Sequence, residues 1–290
     1  MTTLRDVAWA KLNLTLEVLG RRPDGFHEIQ SLVAFADMGD SVELAPGNGF
    51  ELAVEGPFAA ALSGDNLITK AAQATKAANP DLRLGRFQLD KVLPVAAGLG
   101  GGSADAAAAL RLIARANGGI PSEAELTDFA TKLGSDVNVC LKSEPAMITG
   151  RGEKVEVVRD LPSCGVLLAN PRVPLATAAV YGSLNAKPMA SLPAQRPQRP
   201  KFDQSFEKLV AYILPRGNHL EPPAARLVPE IREVLAGLLA LPGACVPRLS
   251  GSGPTCFALF AKEDEARRAA ATLGAQRPTW WVAATTLVPS

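Results

Sequence analysis

The sequence predicts a mixed α/β protein, and three observations carry that expectation. Apolar and polar residues alternate over residues 8–18, the period of a strand. A strand, a glycine-rich loop and an alanine-rich helix follow one another through residues 87–116. From residue 206 onward, amphipathic helices and short apolar strands form a compact second unit.

The 290 residues, 47% of them hydrophobic, suffice for two modest domains or one large one. Acidic and basic residues are interspersed and the formal net charge is +1, so the electrostatic footprint of a nucleic-acid binder is missing. No apolar run approaches a membrane span, about 18 residues or more, and the N-terminus lacks the apolar core of a signal peptide. A soluble cytoplasmic protein without nucleic-acid or membrane partners is the expectation, and the sequence sets no oligomeric state. Cys140, Cys164, Cys245 and Cys256 stand far apart in apolar surroundings and read as buried free thiols. His27 and His219 are the only histidines, which leaves little room for a zinc site or a serine triad. Chemistry falls to carboxylate, lysine, hydroxyl and backbone.

In the first strand Ala10, Leu12, Leu14, Leu16 and Val18 share one face, and Lys11, Asn13, Thr15 and Glu17 the other. Lys11 and Asn13 either reach one ligand together or belong to a solvated strand face. Arg21-Arg22-Pro23-Asp24-Gly25 is turn chemistry, and a second strand returns over residues 26–35. Directly after the turn, Phe26 and His27 suit stacking and hydrogen bonding to a flat base, and equally suit packing and surface. Residues 41–45 and 50–55, separated by Pro46-Gly47-Asn48-Gly49, predict a hairpin. Asp65-Asn66 starts a helix over residues 67–78, which Asn79-Pro80 stops.

Phe87, Leu89 and Leu93 recur at even spacing and predict a strand ended by Pro94. Then comes Pro94-Val95-Ala96-Ala97-Gly98-Leu99-Gly100-Gly101-Gly102-Ser103-Ala104. Its four glycines leave backbone N–H groups unscreened, Ser103 reads as an N-cap, and the positive end of the following helix faces the same anion. The run lacks the closing Lys-Ser or Lys-Thr of a Walker A loop. It lacks the dinucleotide fingerprint as well, whose third glycine falls on Ser103 or Asp105. A phosphate cradle and a glycine turn capping an alanine helix both fit.

That helix is expected to run to about Ala116 and to end at Gly118-Gly119. Ser122 and Glu125 form a capping box for the next helix, which Gly134 ends. Asp136, between that stop and an apolar run, suits an N-cap or a base at the floor of a cleft. Residues 147–158 predict a hairpin around Gly150-Arg151-Gly152, residues 165–169 a buried strand, and a short helix carries Tyr181. Pro188, Pro193, Pro197 and Pro200 make residues 187–201 the most loop-like stretch. Helices over 206–213, 229–239 and 264–273 and strands over 255–261 and 280–286 complete the chain. Leu249-Ser250-Gly251-Ser252-Gly253 is an ordinary hairpin turn, or a second glycine loop walling a cleft.

Three of these strings, in order and separation, resemble the motifs of the GHMP superfamily of small-molecule kinases. They are Ala10-Lys11-Leu12-Asn13-Leu14, the run from Pro94 to Ser103, and Leu249 to Gly253. Arg22-Pro23-Asp24-Gly25-Phe26-His27, Asp65-Asn66-Leu67 and Leu133-Gly134-Ser135-Asp136-Val137 are similar to the branch serving the non-mevalonate isoprenoid route. The resemblance spans essentially the whole chain. It implies a two-lobed GHMP kinase fold: an N-terminal nucleotide-binding lobe over residues 1–160, and a C-terminal lobe of antiparallel sheet and helices over residues 161–290. It also implies ATP with Mg2+ as the phosphoryl donor and the tertiary hydroxyl of a CDP-linked methylerythritol as the acceptor.

On that resemblance Asp136 is the base and Lys11 the cation beside it. Residues 94–104 hold the ATP phosphates, Asn66 lies near the adenine, and the metal's protein ligands are unassigned. His27 reads the cytosine edge between Phe26 and Tyr181, while Asn13 positions the substrate. Departures are Phe26 for a common tyrosine, Tyr181 for a phenylalanine, Asp105 for an asparagine and Asn138 for a proline. Another kinase of the superfamily, acting on mevalonate-like, homoserine-like or sugar alcohols, is the nearest alternative. A non-catalytic nucleotide sensor is the other.

Overall fold

The computed structural model describes residues 2–62, 66–189, 191 and 199–288. The expectations placed on Asp65, Pro193 and Pro197 lie outside the described residues. In chain order the elements are β1 (Leu4–Asn13), β2 (Glu17–Arg21), β3 (His27–Ala45), β4 (Phe50–Glu55), α1 (Leu67–Ala78), β5 (Gly85–Asp90) and α2 (Gly101–Ala116). Next come α3 (Glu123–Leu133), α4 (Val137–Lys142), β6 (Ala146–Gly150), β7 (Lys154–Val157), β8 (Gly165–Asn170) and α5 (Thr177–Gly182). The chain closes with α6 (Phe206–Ile213), α7 (Glu221–Leu227), α8 (Glu230–Leu239), β9 (Cys245–Leu249), β10 (Cys256–Phe260), α9 (Glu263–Gln276) and β11 (Trp281–Thr286). Two compact units result, one of residues 1–10, 38–95 and 100–143, the other of residues 11–37, 96–99 and 144–290.

In the first unit the later half of β3 pairs antiparallel with β5, from Ser41 opposite Asp90 to Ala45 opposite Arg86. On the far side of β5 lies β4, parallel to it. Residues 41–45 and 50–55 therefore form no hairpin, contrary to the sequence expectation. The cause is Gly85, whose N–H donates to the Gly49 carbonyl at 2.9 Å. A Cβ at this position, where φ is +87°, would sit 2.1 Å from the Ala45 carbonyl oxygen. A residue without a side chain thus wedges the start of β5 between the two strands. Helices α1, α3 and α4 pack on α2, whose Ala106, Ala107, Ala108 and Ala109 are fully buried, so small side chains let the helices approach.

In the second unit the first half of β3 pairs with β6, Ile29 opposite Gly150, and with β2, Arg21 opposite His27. The expected hairpin around residues 150–152 is present as β6 and β7. A separate antiparallel sheet runs in the order β11-β8-β10-β9. Its apolar face, with Leu167, Ala258 and Phe260, meets Val180, Ile231, Val234 and Leu273 from the helices. The sequence reading missed α7 and β9, each of which contains proline. In α7 the prolines fall in the first turn, where the missing N–H has no intrahelical partner anyway.

Three further expectations are corrected. The strand over residues 8–18 is broken between Asn13 and Glu17, and its polar face is not solvated: Lys11, Asn13 and Thr15 are 4%, 2% and 1% exposed. Residues 26–35 and 41–45 belong to one 19-residue strand, β3. Cys245 is half-buried, while the other three free thiols are buried.

Candidate active site

Helix α2 begins at Gly101, with Gly100 as its cap at φ +63°. Ser103 therefore lies inside the first turn and is not the N-cap that the sequence suggested. A left-handed glycine supplies the reversal, which a capping hydroxyl does not. Gly98 is also left-handed, at φ +74°. A Cβ on it would lie 2.3 Å from the Ser250 carbonyl oxygen and 2.7 Å from the Gly253 nitrogen.

In the second unit, then, the two glycine loops touch backbone to backbone. Ser250 Oγ donates to the Gly98 carbonyl at 2.9 Å, and the Thr255 N–H donates to the Ala97 carbonyl at 3.1 Å. Strand β1 joins them: the Lys11 N–H donates to the Leu99 carbonyl at 2.8 Å and the Asn13 N–H to Ser250 Oγ at 3.3 Å. The late glycine loop is thus a wall for residues 96–99. Asn218 stiffens it, donating from Nδ2 to the Leu249 and Gly251 carbonyls, each at 2.8 Å. Asn13 spends its Nδ2 on Ser31 Oγ at 2.8 Å, while its buried Oδ1 has no hydrogen-bond partner among the described residues. An acceptor kept dry and unused suits a donor arriving on a ligand.

The first unit holds Asn66, Gly100 to Ala104, and Asp136. Asn66 caps α1, its Oδ1 accepting from the Ile68 N–H at 2.8 Å. Asp136 stands immediately before α4, and its side chain makes no capping hydrogen bond to that helix. Arg111 of α2 fixes α4 from the other end, donating from Nη1 to the Cys140 carbonyl at 2.8 Å and the Leu141 carbonyl at 3.2 Å. Its Nε holds Asp6 at 3.0 Å. The helix that opens at the glycine loop and the helix that opens at Asp136 are thereby bound to each other. Beneath the loop Lys91 Nζ donates to Asp40 and Asp105, at 2.5 and 2.6 Å. Sequence reasoning missed Lys91 and Asp40, because single charged residues, one within β3 and one just past β5, give no pattern.

A ring cluster lies in the second unit. The His27 and Tyr181 rings are 5.0 Å apart and tilted by 34°. Next to His27 in sequence, Phe26 is 53% exposed, with the Arg151 guanidinium 4.9 Å from its ring centre. The pairing of Ile29 with Gly150 places Arg151 there, a residue the sequence marked only as part of a turn. Burial, helped by Arg21, lowers the His27 pKa, which keeps the imidazole neutral with one donor and one acceptor nitrogen. The turn is locked by Arg22, whose Nη1 holds the buried Glu28 at 2.7 Å, and by Asp24, which accepts from the Phe26 N–H at 3.1 Å.

Among the described residues no group of three or more His, Cys, Asp or Glu side chains is gathered to hold a metal ion. No described helix is long and apolar enough to cross a membrane. Two family profiles match the chain, GHMP kinases N terminal domain over residues 66–144 and GHMP kinases C terminal over residues 201–278. A Rhodopseudomonas palustris protein named 4-diphosphocytidyl-2-C-methyl-D-erythritol kinase is 48% identical, over 98% of this chain and 97% of its own. The crystal structure of a 4-(cytidine 5'-diphospho)-2C-methyl-D-erythritol kinase superposes with a TM-score of 0.78 at 32% identity, covering 99% of this chain and all of that one. A homoserine kinase from Cytophaga hutchinsonii, at 19% identity and TM-score 0.71 over 99% and 95% of the two chains, shares the fold.

Proposed function

This chain belongs to the GHMP kinase family, and on that premise we propose that it transfers the γ-phosphoryl group of ATP to the tertiary hydroxyl of 4-diphosphocytidyl-2-C-methyl-D-erythritol. The step serves the non-mevalonate isoprenoid route, and we propose the cytoplasm as its setting. The observation that carries the choice of acceptor is the His27 and Tyr181 ring pair with half-exposed Phe26 alongside. Flat rings offer a pyrimidine two stacking surfaces. The neutral imidazole offers a donor and an acceptor to the cytosine edge.

Around that base the other residues take defined tasks. Asn13 receives a polyol hydroxyl on its unused Oδ1. Asp136 accepts the proton of the attacking hydroxyl, and the Lys11 ammonium offsets the charge that develops on the transferred group. Residues 94–104 hold the phosphates at the start of α2, with the backbone N–H groups between Pro94 and Ala104 as donors. Asn66, its oxygen committed to capping α1, meets the adenine through its amide nitrogen. Bound magnesium, carried by phosphate oxygens and water, would neutralise phosphate charge.

ATP consumption measured with a panel of cytidyl and non-cytidyl alcohols tests this reading. Turnover is expected with the cytidyl alcohol alone, and Asp136→Asn is expected to lower kcat by roughly 10²–10⁴-fold, the usual worth of a general base. Equal turnover of homoserine or mevalonate would refute the acceptor. ATP binding without turnover of any alcohol would favour a nucleotide sensor.

A further inference from the structure

The first unit buries three charges under the phosphate loop that the transfer chemistry leaves unused. Asp40 on β3, Lys91 after β5 and Asp105 in the first turn of α2 are 0%, 1% and 3% exposed. Lys91 Nζ bonds one oxygen of each carboxylate, at 2.5 Å to Asp40 Oδ2 and 2.6 Å to Asp105 Oδ2. The second oxygen of Asp40 accepts the Val92 and Leu93 N–H groups at 2.7 and 2.8 Å, which fixes the chain just before Pro94. The second oxygen of Asp105 has no hydrogen-bond partner among the described residues. The cluster lies against the loop itself, since a Cβ on Gly101 would be 3.1 Å from Lys91 Nζ and 3.7 Å from Asp40 Oδ2. Asp105 follows Gly101 by one helical turn, on the same face of α2.

With every group ionised, this dry site holds one positive and two negative charges. The two carboxylates are not equivalent. Asp40 has donors on both oxygens, whereas Asp105 has a donor on one, so Asp105 is the natural seat for a proton. Burial pushes its carboxyl up to about 7, with Lys91 opposing that rise and Asp40 adding to it. Burial pulls Lys91 down, but Asp105 and Asp40 outweigh it, and the ammonium stays charged. The charged groups acting on Asp105 are Lys91 and Asp40; of the helices packed on α2, α1 carries Lys70 and Lys76 and α4 carries Lys142.

We propose that Asp105 is a positioning residue of the phosphate loop whose carboxyl takes up a proton when nucleotide binds. The inference rests on the assignment of the ATP phosphates to residues 94–104. A polyphosphate at the start of α2 is repelled by an ionised Asp105 one turn away. A proton drawn from solvent onto the free oxygen removes that repulsion and leaves Asp40 and Lys91 as a neutral pair. By reciprocity, proton and nucleotide strengthen each other's binding, so nucleotide affinity falls as pH rises through the Asp105 pKa.

The experiment is calorimetric titration of the full chain with magnesium and a non-hydrolysable ATP analogue, in buffers of different ionisation enthalpy, from pH 6.5 to 8.5. Wild type is expected to take up several tenths of a proton more per nucleotide than Asp105→Asn near pH 7.5, as partial titration of one group requires. Its Kd should rise several-fold across the range, while that of Asp105→Asn varies less. Equal proton uptake and equal pH slopes in the two proteins would overturn the inference alone. Failure of wild type to bind nucleotide would overturn the phosphate-loop assignment along with it. Should Asp105→Asn fail to fold, infrared spectroscopy of wild type decides. A protonated-carboxyl band that grows on nucleotide binding near pH 7.5 supports the proposal, and an unchanged spectrum in that region refutes it.

Discussion

His27 shows how much a single side chain settles. Burial and the neighbouring Arg21 lower its pKa, so the ring is neutral in the folded protein and keeps an acceptor nitrogen. As pH falls through that lowered value the ring gains a proton, loses its acceptor and meets Arg21 as a like charge. Stability contributed by the neutral ring is present above the ordinary histidine pKa and is lost as pH falls. The KM for the cytidyl alcohol should therefore rise toward acidic pH with the ATP KM unaffected, in initial rates at fixed ionic strength. His27→Ala should raise the same KM by roughly 3- to 10-fold, the worth of about one neutral hydrogen bond, and flatten the acid limb. An equal rise in both KM values would remove the cytosine assignment. At the same scale Asn13→Ala removes the unused Oδ1 and should raise the acceptor KM.

At the scale of elements, the site depends on loops and helices that hold one another. Gly98→Ala places a Cβ against the Ser250 carbonyl and the Gly253 nitrogen, and neither is a flexible side-chain tip that can move aside. That substitution should open the contact between the two glycine loops and raise the ATP KM at least tenfold, by roughly the cost of one strained left-handed residue. Ser250→Ala, which loses only the Oγ bonds to Gly98 and Asn13, should do less. Arg111 is the tie between α2 and α4. Arg111→Met should cost roughly 1–3 kcal/mol through unsatisfied carbonyls and the lost Asp6 pair. That loss would be read as a lower urea midpoint with an unchanged slope.

At the scale of the whole molecule the motifs are dispersed. The chain passes from one unit to the other after Ala10, Asp37, Val95, Leu99 and Ser143, and the run from residue 94 to residue 104 contributes to both. Ligand binding should register as added stability. In Asp136→Asn, where turnover is suppressed, ATP at one hundred times its Kd should add about 2.7 kcal/mol of stability, measured as a rise in Tm. The homoserine kinase has the same fold at 19% identity, so the fold alone does not select the acceptor. On the proposed reading, selection falls to Phe26, His27 and Tyr181.

Much was legible in the sequence because it is local. The capping box at Ser122 and Glu125, the Asn66 cap, the glycine stop after α2 and the turn before His27 each depend on neighbours within a few residues. The motif strings marked the family for the same reason. Partners distant in sequence were not legible. Strand β5 wedged between β3 and β4 at Gly85, the polar face of β1 covered rather than wet, and Lys91 drawn between Asp40 and Asp105 all arise from residues tens of positions apart. A chain pattern records which way a residue faces, but what it faces is decided only when the tertiary structure closes around it and removes the water.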